Sequence, residues 1–220
     1  FYGARLGIGS DAREHSSFVW WVINRLLFLA AIGSIQSFAF YFLQDVLKVE
    51  KAGFVTTLLM GAVALFLLPS ALIGGRLADK MGKKKLVIYS GYIAAVGSFL
   101  LVLVGFLANG NLLNLTQNAY VALVVICGCI IGAGTGTFMA TNWALGTDLV
   151  PAKDAGKYLG ISNLAGAGAG IVGQGIGGPL ADFFNRLSPG VGYLVIFTIY
   201  AFLFLLSVIS LTKVHTPVKA

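Results

Sequence analysis

Ile73-Gly74-Gly75-Arg76-Leu77-Ala78-Asp79-Lys80-Met81-Gly82-Lys83-Lys84-Lys85 ends an apolar run with a carboxylate, a glycine and a burst of lysines. About a hundred positions later, Ile176-Gly177-Gly178-Pro179-Leu180-Ala181-Asp182 writes the same ending without the lysines. Both follow long hydrophobic stretches, so the medium those stretches occupy decides the fold. Of 220 residues, 58% are hydrophobic and 10% charged, with a mean hydropathy of +0.89. An ordinary soluble domain carries about a quarter charged residues, so this chain suits a bilayer.

A helix that crosses a hydrocarbon core about 30 Å thick needs about 20 mostly apolar residues. Six such runs are predicted, near 18–43, 53–78, 86–108, 119–145, 157–182 and 192–212. The gaps between them set the orientation. Arg5, Arg13, Arg76, Lys80, Lys83, Lys84, Lys85, Lys153, Lys157, Lys213 and Lys219 fall on one side, and Lys48, Lys51 and Arg186 on the other. That asymmetry predicts a multi-pass protein of the cell (inner) membrane with both termini in the cytoplasm.

The net charge of +7 does not mark a nucleic-acid binder, because the positive residues sit in short gaps between spans and not along one groove. Cys127 and Cys129 lie in an apolar run with no histidine or further cysteine near them, so no metal site is expected. His15 and His215 lie outside the spans, and there is no Ser/His/Asp set and no phosphate-cradling loop. The sequence therefore argues against an enzyme and calls for no cofactor. A chain that begins at Phe1 is expected to be part of something longer.

With this topology the second span runs towards the cytoplasm and the fifth runs away from it, so the two repeated endings point in opposite directions. Helices one to three and four to six are thereby predicted to be a 3+3 inverted repeat, in an all-α membrane fold. The longer copy adds specificity. Gly75, Leu77, Ala78, Asp79, Lys80, Gly82, Lys83 and Lys84 match every specified position of G-x-L-A-D-[RK]-x-G-[RK]-[RK]. In sequence and in place, between second and third helices, this stretch resembles the signature loop of the major facilitator superfamily.

The resemblance implies a secondary transporter, of the kind that works by symport and alternating access between two six-helix halves. This chain would be one of them, by preference the C-terminal half. It implies that the loop gates the cytoplasmic side, with Asp79 latching onto a helix start in the opposite half, where open N–H groups and a partial positive charge suit a carboxylate. Residues 1–17 would be a cytoplasmic linker, 18–212 the bundle and 213–220 a cytoplasmic tail. The expected partners are the lipid bilayer, a second six-helix half and a small solute, with no nucleic acid. A transporter-like fold kept as an assembly subunit, with no solute path, is the alternative.

The resemblance also implies that first and fourth helices line the solute cavity. Polar residues inside spans are costly in lipid unless they face a cavity or a partner, which singles out Asn24, Arg25, Gln36, Thr141 and Asn142 there. Arg25 has three readings: a contact to a substrate anion, a pair with Asp148, or snorkelling to the interface. Gln36 lies three turns deeper on roughly the same face and is the better midplane candidate. Gly132 and Gly136 on the fourth helix, and Gly166, Gly170, Gly173 and Gly177 on the fifth, are expected to let helices approach closely. No span carries an Asp or Glu near its centre, so a coupling carboxylate is not visible in this half.

Overall fold

The computed structural model describes residues 16–150 and 155–215. The predicted linker at 1–17 and tail at 213–220 fall mostly outside these residues. Among the described residues six helices follow one another: α1 (Ser16–Asp45), α2 (Ala52–Met81), α3 (Lys83–Asn109), α4 (Gln117–Leu149), α5 (Ala155–Leu187) and α6 (Val191–Thr212). Helices satisfy their own backbone groups, which a bilayer interior demands.

Five of them, α1 to α4 and α6, are long and apolar enough to cross a membrane. The sixth expected span is only partly met. At 33 residues α5 reaches about 50 Å, but its glycines together with Ser162, Asn163 and Gln174 keep its apolar character below that of the others.

Two glycines make the sharp turns. Gly82 joins α2 to α3 at φ 90°, with its N–H donating to the Ala78 carbonyl at 3.0 Å. Gly190 opens α6 at φ 85°. Both lie in the left-handed region, where a Cβ is disfavoured. The hydroxyl of Thr116 accepts from the Ala119 N–H and caps the start of α4.

The packing is pairwise: α2 lies on α4, α4 also on α3, α3 on α6, α6 on α1, and α1 on α5. Phe28 of α1 stacks on Phe138 of α4 at 3.6 Å between ring centroids and meets Phe204 of α6 edge-on at 4.9 Å. All three rings are fully buried, so one aromatic cluster ties three helices together.

Lipid is as apolar as leucine, so such helices associate through close packing, and small residues set how close they come. A Cβ on Gly132 would stand 2.8 Å from the Val63 carbonyl oxygen, and one on Gly136 would collide with the Leu67 carbonyl. Gly173 meets the Ala30 carbonyl and Ser34, and Gly177 meets the Tyr200 hydroxyl. These four behave as expected. Gly166 and Gly170 do not: a Cβ on Gly166 would make only an ordinary contact with Leu29, and one on Gly170 would meet nothing within 4 Å. Seven residues bring a helix back to almost the same face, so the two pairs share a side of α5 and differ in how closely their neighbours approach at each level.

One face of α2 is left without a neighbour. Only 17% of its most apolar stretch is buried, against 50% for α1, α4 and α6. Leu58, Leu65, Leu68 and Leu72 form an exposed stripe along it, and Leu164 and Ile171 are the most exposed large residues on α5.

Candidate functional site

The loop at 75–85 is tied to its own bundle from one side. Lys83 Nζ donates to Asp148 Oδ2 at 2.6 Å and to the Ala144 carbonyl at 3.1 Å, both near the end of α4. Lys84 Nζ donates to the Val214 carbonyl at 2.7 Å, just beyond α6. Ala78 is buried and Gly75 partly so, whereas Leu77, Asp79, Lys80 and Gly82 are exposed. Among the described residues Asp79 has no hydrogen bond or ion pair. The loop is thus held at Lys83 and Lys84 and presents its carboxylate outward.

Deeper in the bundle, α1 and α4 share a polar chain. Asn24 Nδ2 donates to the Ser207 carbonyl of α6 at 2.8 Å, and Asn24 Oδ1 accepts from Asn142 Nδ2 at 2.8 Å. Asn142 Oδ1 then accepts from an Arg25 Nη1–H at 3.2 Å, and the Asn142 carbonyl accepts from the Trp21 indole N–H at 3.0 Å. The Arg25 guanidinium lies 4.9 Å from the centre of the Trp143 ring, a cation–π distance. Trp143 is 39% exposed, so it forms the outer wall of this group.

This geometry narrows the readings of Arg25. Asp148 is held by Lys83, so the expected Arg25–Asp148 pair is not made. The guanidinium is held instead at Asn142 and Trp143, with its Nε buried.

Three of the proposed cavity residues are buried in the packing. Asn24 and Asn142 satisfy each other between helices, and Thr141 donates to the Thr137 carbonyl of its own helix at 2.7 Å. Helical spacing gave no means of telling these inward polar residues from cavity-facing ones.

Gln36 is different. It is exposed and sits at a small, open crevice between α1, α2 and α4, whose lining includes Ile32, Leu59, Met60, Val63 and Val124. Gln36 carries the only polar side chain in that lining. At the next residue, Gln174 of α5 donates to the Ser37 hydroxyl at 2.8 Å, on the exposed side of the α1/α5 contact.

Sequence reasoning missed two features. The Tyr193 hydroxyl donates to Asp45 at the end of the bundle opposite the lysine-rich loop. Gly146 gives Trp21 its seat, because any Cβ there would collide with the indole. The glycine-rich character of α4 was a usable signal for the second; nothing in the sequence pointed to the first.

Comparison with known proteins agrees with the loop. The family model described as Major Facilitator Superfamily matches residues 7–174. An uncharacterized MFS-type transporter, Rv1877 of Mycobacterium tuberculosis (strain ATCC 25618 / H37Rv), is 26% identical over 137 residues, 62% of this chain. The vacuolar membrane amino acid uptake transporter fnx2 of Schizosaccharomyces pombe is 28% identical over 142 residues, 64% of this chain. The matched segments span 17% and 22% of those relatives' own lengths. A motif match, five apolar spans and a family match over most of its length agree: this chain belongs to the Major Facilitator Superfamily.

Proposed function

We propose that the chain is one six-helix half of a secondary transporter, which moves a small solute by alternating access against a second half. The observation that carries this is the 75–85 loop. Its lysines at 83 and 84 are spent on α4 and α6, while Asp79 stays exposed and unpartnered among the described residues. A carboxylate held out on a tethered loop suits docking onto a helix start of another bundle. The basic end carrying this loop is the cytoplasmic one in this reading, because Lys and Arg concentrate there.

The second half would cover the exposed stripe of α2 and the outer face of α5 that carries Leu164 and Ile171. The exposed face of α1, with Gln36, Ser37, Tyr41 and Gln44, would then line the solute path.

A 3+3 inverted repeat also draws support beyond the repeated ending. Under the single shift of 103 positions that takes Ile73 to Ile176, Gly33 falls on Gly136, Asp45 on Asp148, Ala52-Gly53 on Ala155-Gly156, and Lys83 on Arg186. The packing is similarly paired, with α2 on α4 matching α5 on α1 and α3 on α4 matching α6 on α1.

The test is uptake by the complete protein in sealed vesicles, with and without Asp79→Asn. Net solute movement that Asp79→Asn reduces several-fold supports the reading. No movement of any solute, under any imposed ion gradient, argues for an assembly subunit instead.

A further inference from the structure

Arg25 is a cation inside a span that has no counter-charge among the described residues. The described carboxylates are Asp45, Glu50, Asp79, Asp148 and Asp182. Asp148 belongs to Lys83, and Asp45 lies about 30 Å along α1 from Arg25, where it takes the Tyr193 hydroxyl. Arg25 makes no ion pair among the described residues. An arginine cannot shed its charge to relieve this, so the charge awaits a partner.

The orientation of the guanidinium tells which partner fits. Asn24 spends its amide N–H on Ser207 and its oxygen on Asn142, which forces Asn142 to turn its own oxygen towards Arg25. One corner of the guanidinium, Nη1, is fixed by that oxygen. Nε, on the edge away from that contact, is buried and has no hydrogen-bond partner. The edge formed by Nε and Nη2 carries two parallel N–H groups, the fork that matches the two oxygens of a carboxylate, and since Nε is covered a ligand engages it only as the neighbouring side chains shift. Trp143 packs over the ion and is partly exposed, so it forms the outer wall of the site. Asn142 lies about 9 Å deeper along α4 than Asp148, which places the site inward of the Lys83–Asp148 bridge.

We propose that the Nε edge of Arg25 receives the carboxylate of the transported solute, with Asn142 orienting the guanidinium and Trp143 closing over it. This rests on the transporter reading above and adds the substrate class: a small molecule bearing a carboxylate. The binding is non-covalent and needs no other reactant.

The test uses the complete protein in detergent. Its thermal unfolding is followed with acetate, propionate, succinate and glutarate, each beside its primary amide. At least one carboxylate is expected to raise the unfolding temperature while its amide does not. Arg25→Gln should weaken that carboxylate by about 30-fold or more, as loss of one member of a buried charged pair does, and Arg25→Lys by less. Asn142→Asp, which keeps the side-chain size and sets a carboxylate beside Arg25, should abolish the response, read against that variant's own unfolding temperature because the donor to Asn24 is lost with it.

Equal effects of acids and amides, or an undiminished carboxylate effect in Arg25→Gln, overturns the proposal. So does a wild type that no carboxylate stabilises; if Arg25→Gln alone then lowers the unfolding temperature, Arg25 serves a carboxylate of the second half. Uptake of the same compounds into vesicles separates the two claims. Carboxylate binding without uptake keeps the site and sinks the transporter reading, whereas uptake confined to the amides does the reverse.

Discussion

Replacing Asn142 with alanine removes the side chain on which the buried chain between α1, α4 and α6 turns. Two hydrogen bonds disappear, from Arg25 Nη1 to Asn142 Oδ1 and from Asn142 Nδ2 to Asn24 Oδ1. The Asn24 oxygen is left buried without a donor, and the guanidinium loses its only side-chain hydrogen bond among the described residues. Each buried polar group left unsatisfied costs about 1–3 kcal/mol, so the two together should cost about 2–6 kcal/mol. The Trp21 indole bond to the Asn142 carbonyl survives, because it uses the backbone. Thermal unfolding of the purified complete protein should fall by roughly 5 °C or more. Thr141→Val is the matched control, since the Thr141 hydroxyl serves only the Thr137 carbonyl of its own helix, and it should move the transition by no more than about 2 °C. The reasoning is refuted if Asn142→Ala unfolds with the wild type, or if Thr141→Val costs as much.

Gly136→Ala should destabilise by about 1–3 kcal/mol in the same assay, because its Cβ meets the backbone of Leu67 and not a side chain that can turn aside. Lys83→Gln and Asp148→Asn should each cost less than about 1 kcal/mol, since their side chains are 25% and 35% exposed, and the double variant should cost little more than either alone. Gln36→Leu should leave unfolding unchanged, because it sets one more apolar group at an apolar crevice, yet it should cut vesicle uptake several-fold.

The helices were legible because hydrophobic run length and glycine turns speak directly about a bilayer. The predicted spans at 53–78 and 86–108 lie inside α2 and α3, and Gly82 separates those helices where its lysine-rich context suggested. The fifth span was harder. Its glycines read as apolar by eye, yet they contribute little hydropathy, so α5 stands apart from the other five.

The same glycines show the limit of spacing as evidence. Gly166/Gly170 and Gly173/Gly177 share the four-residue interval and one face of α5, but only the second pair is in close contact with α1 and α6, and the interval alone does not say where along a helix its neighbours come close. Polar residues in spans divide in the same way. Asn24, Thr141 and Asn142 are satisfied within the packing, and Gln36 is not. The pairing of Lys83 with Asp148, across 65 positions, was not predictable from a loop motif, and it removed the partner that Arg25 had been offered.

The most direct measurement is the accessibility of one cysteine placed at Gln36 in the complete protein, after Cys127 and Cys129 have been replaced. A membrane-impermeant thiol reagent is applied from each side in turn. Alternating access predicts labelling from both sides, with Asp79→Asn slowing labelling from outside and speeding it from the cytoplasm. Labelling from one side only, at a rate that Asp79→Asn leaves unchanged, would contradict the account.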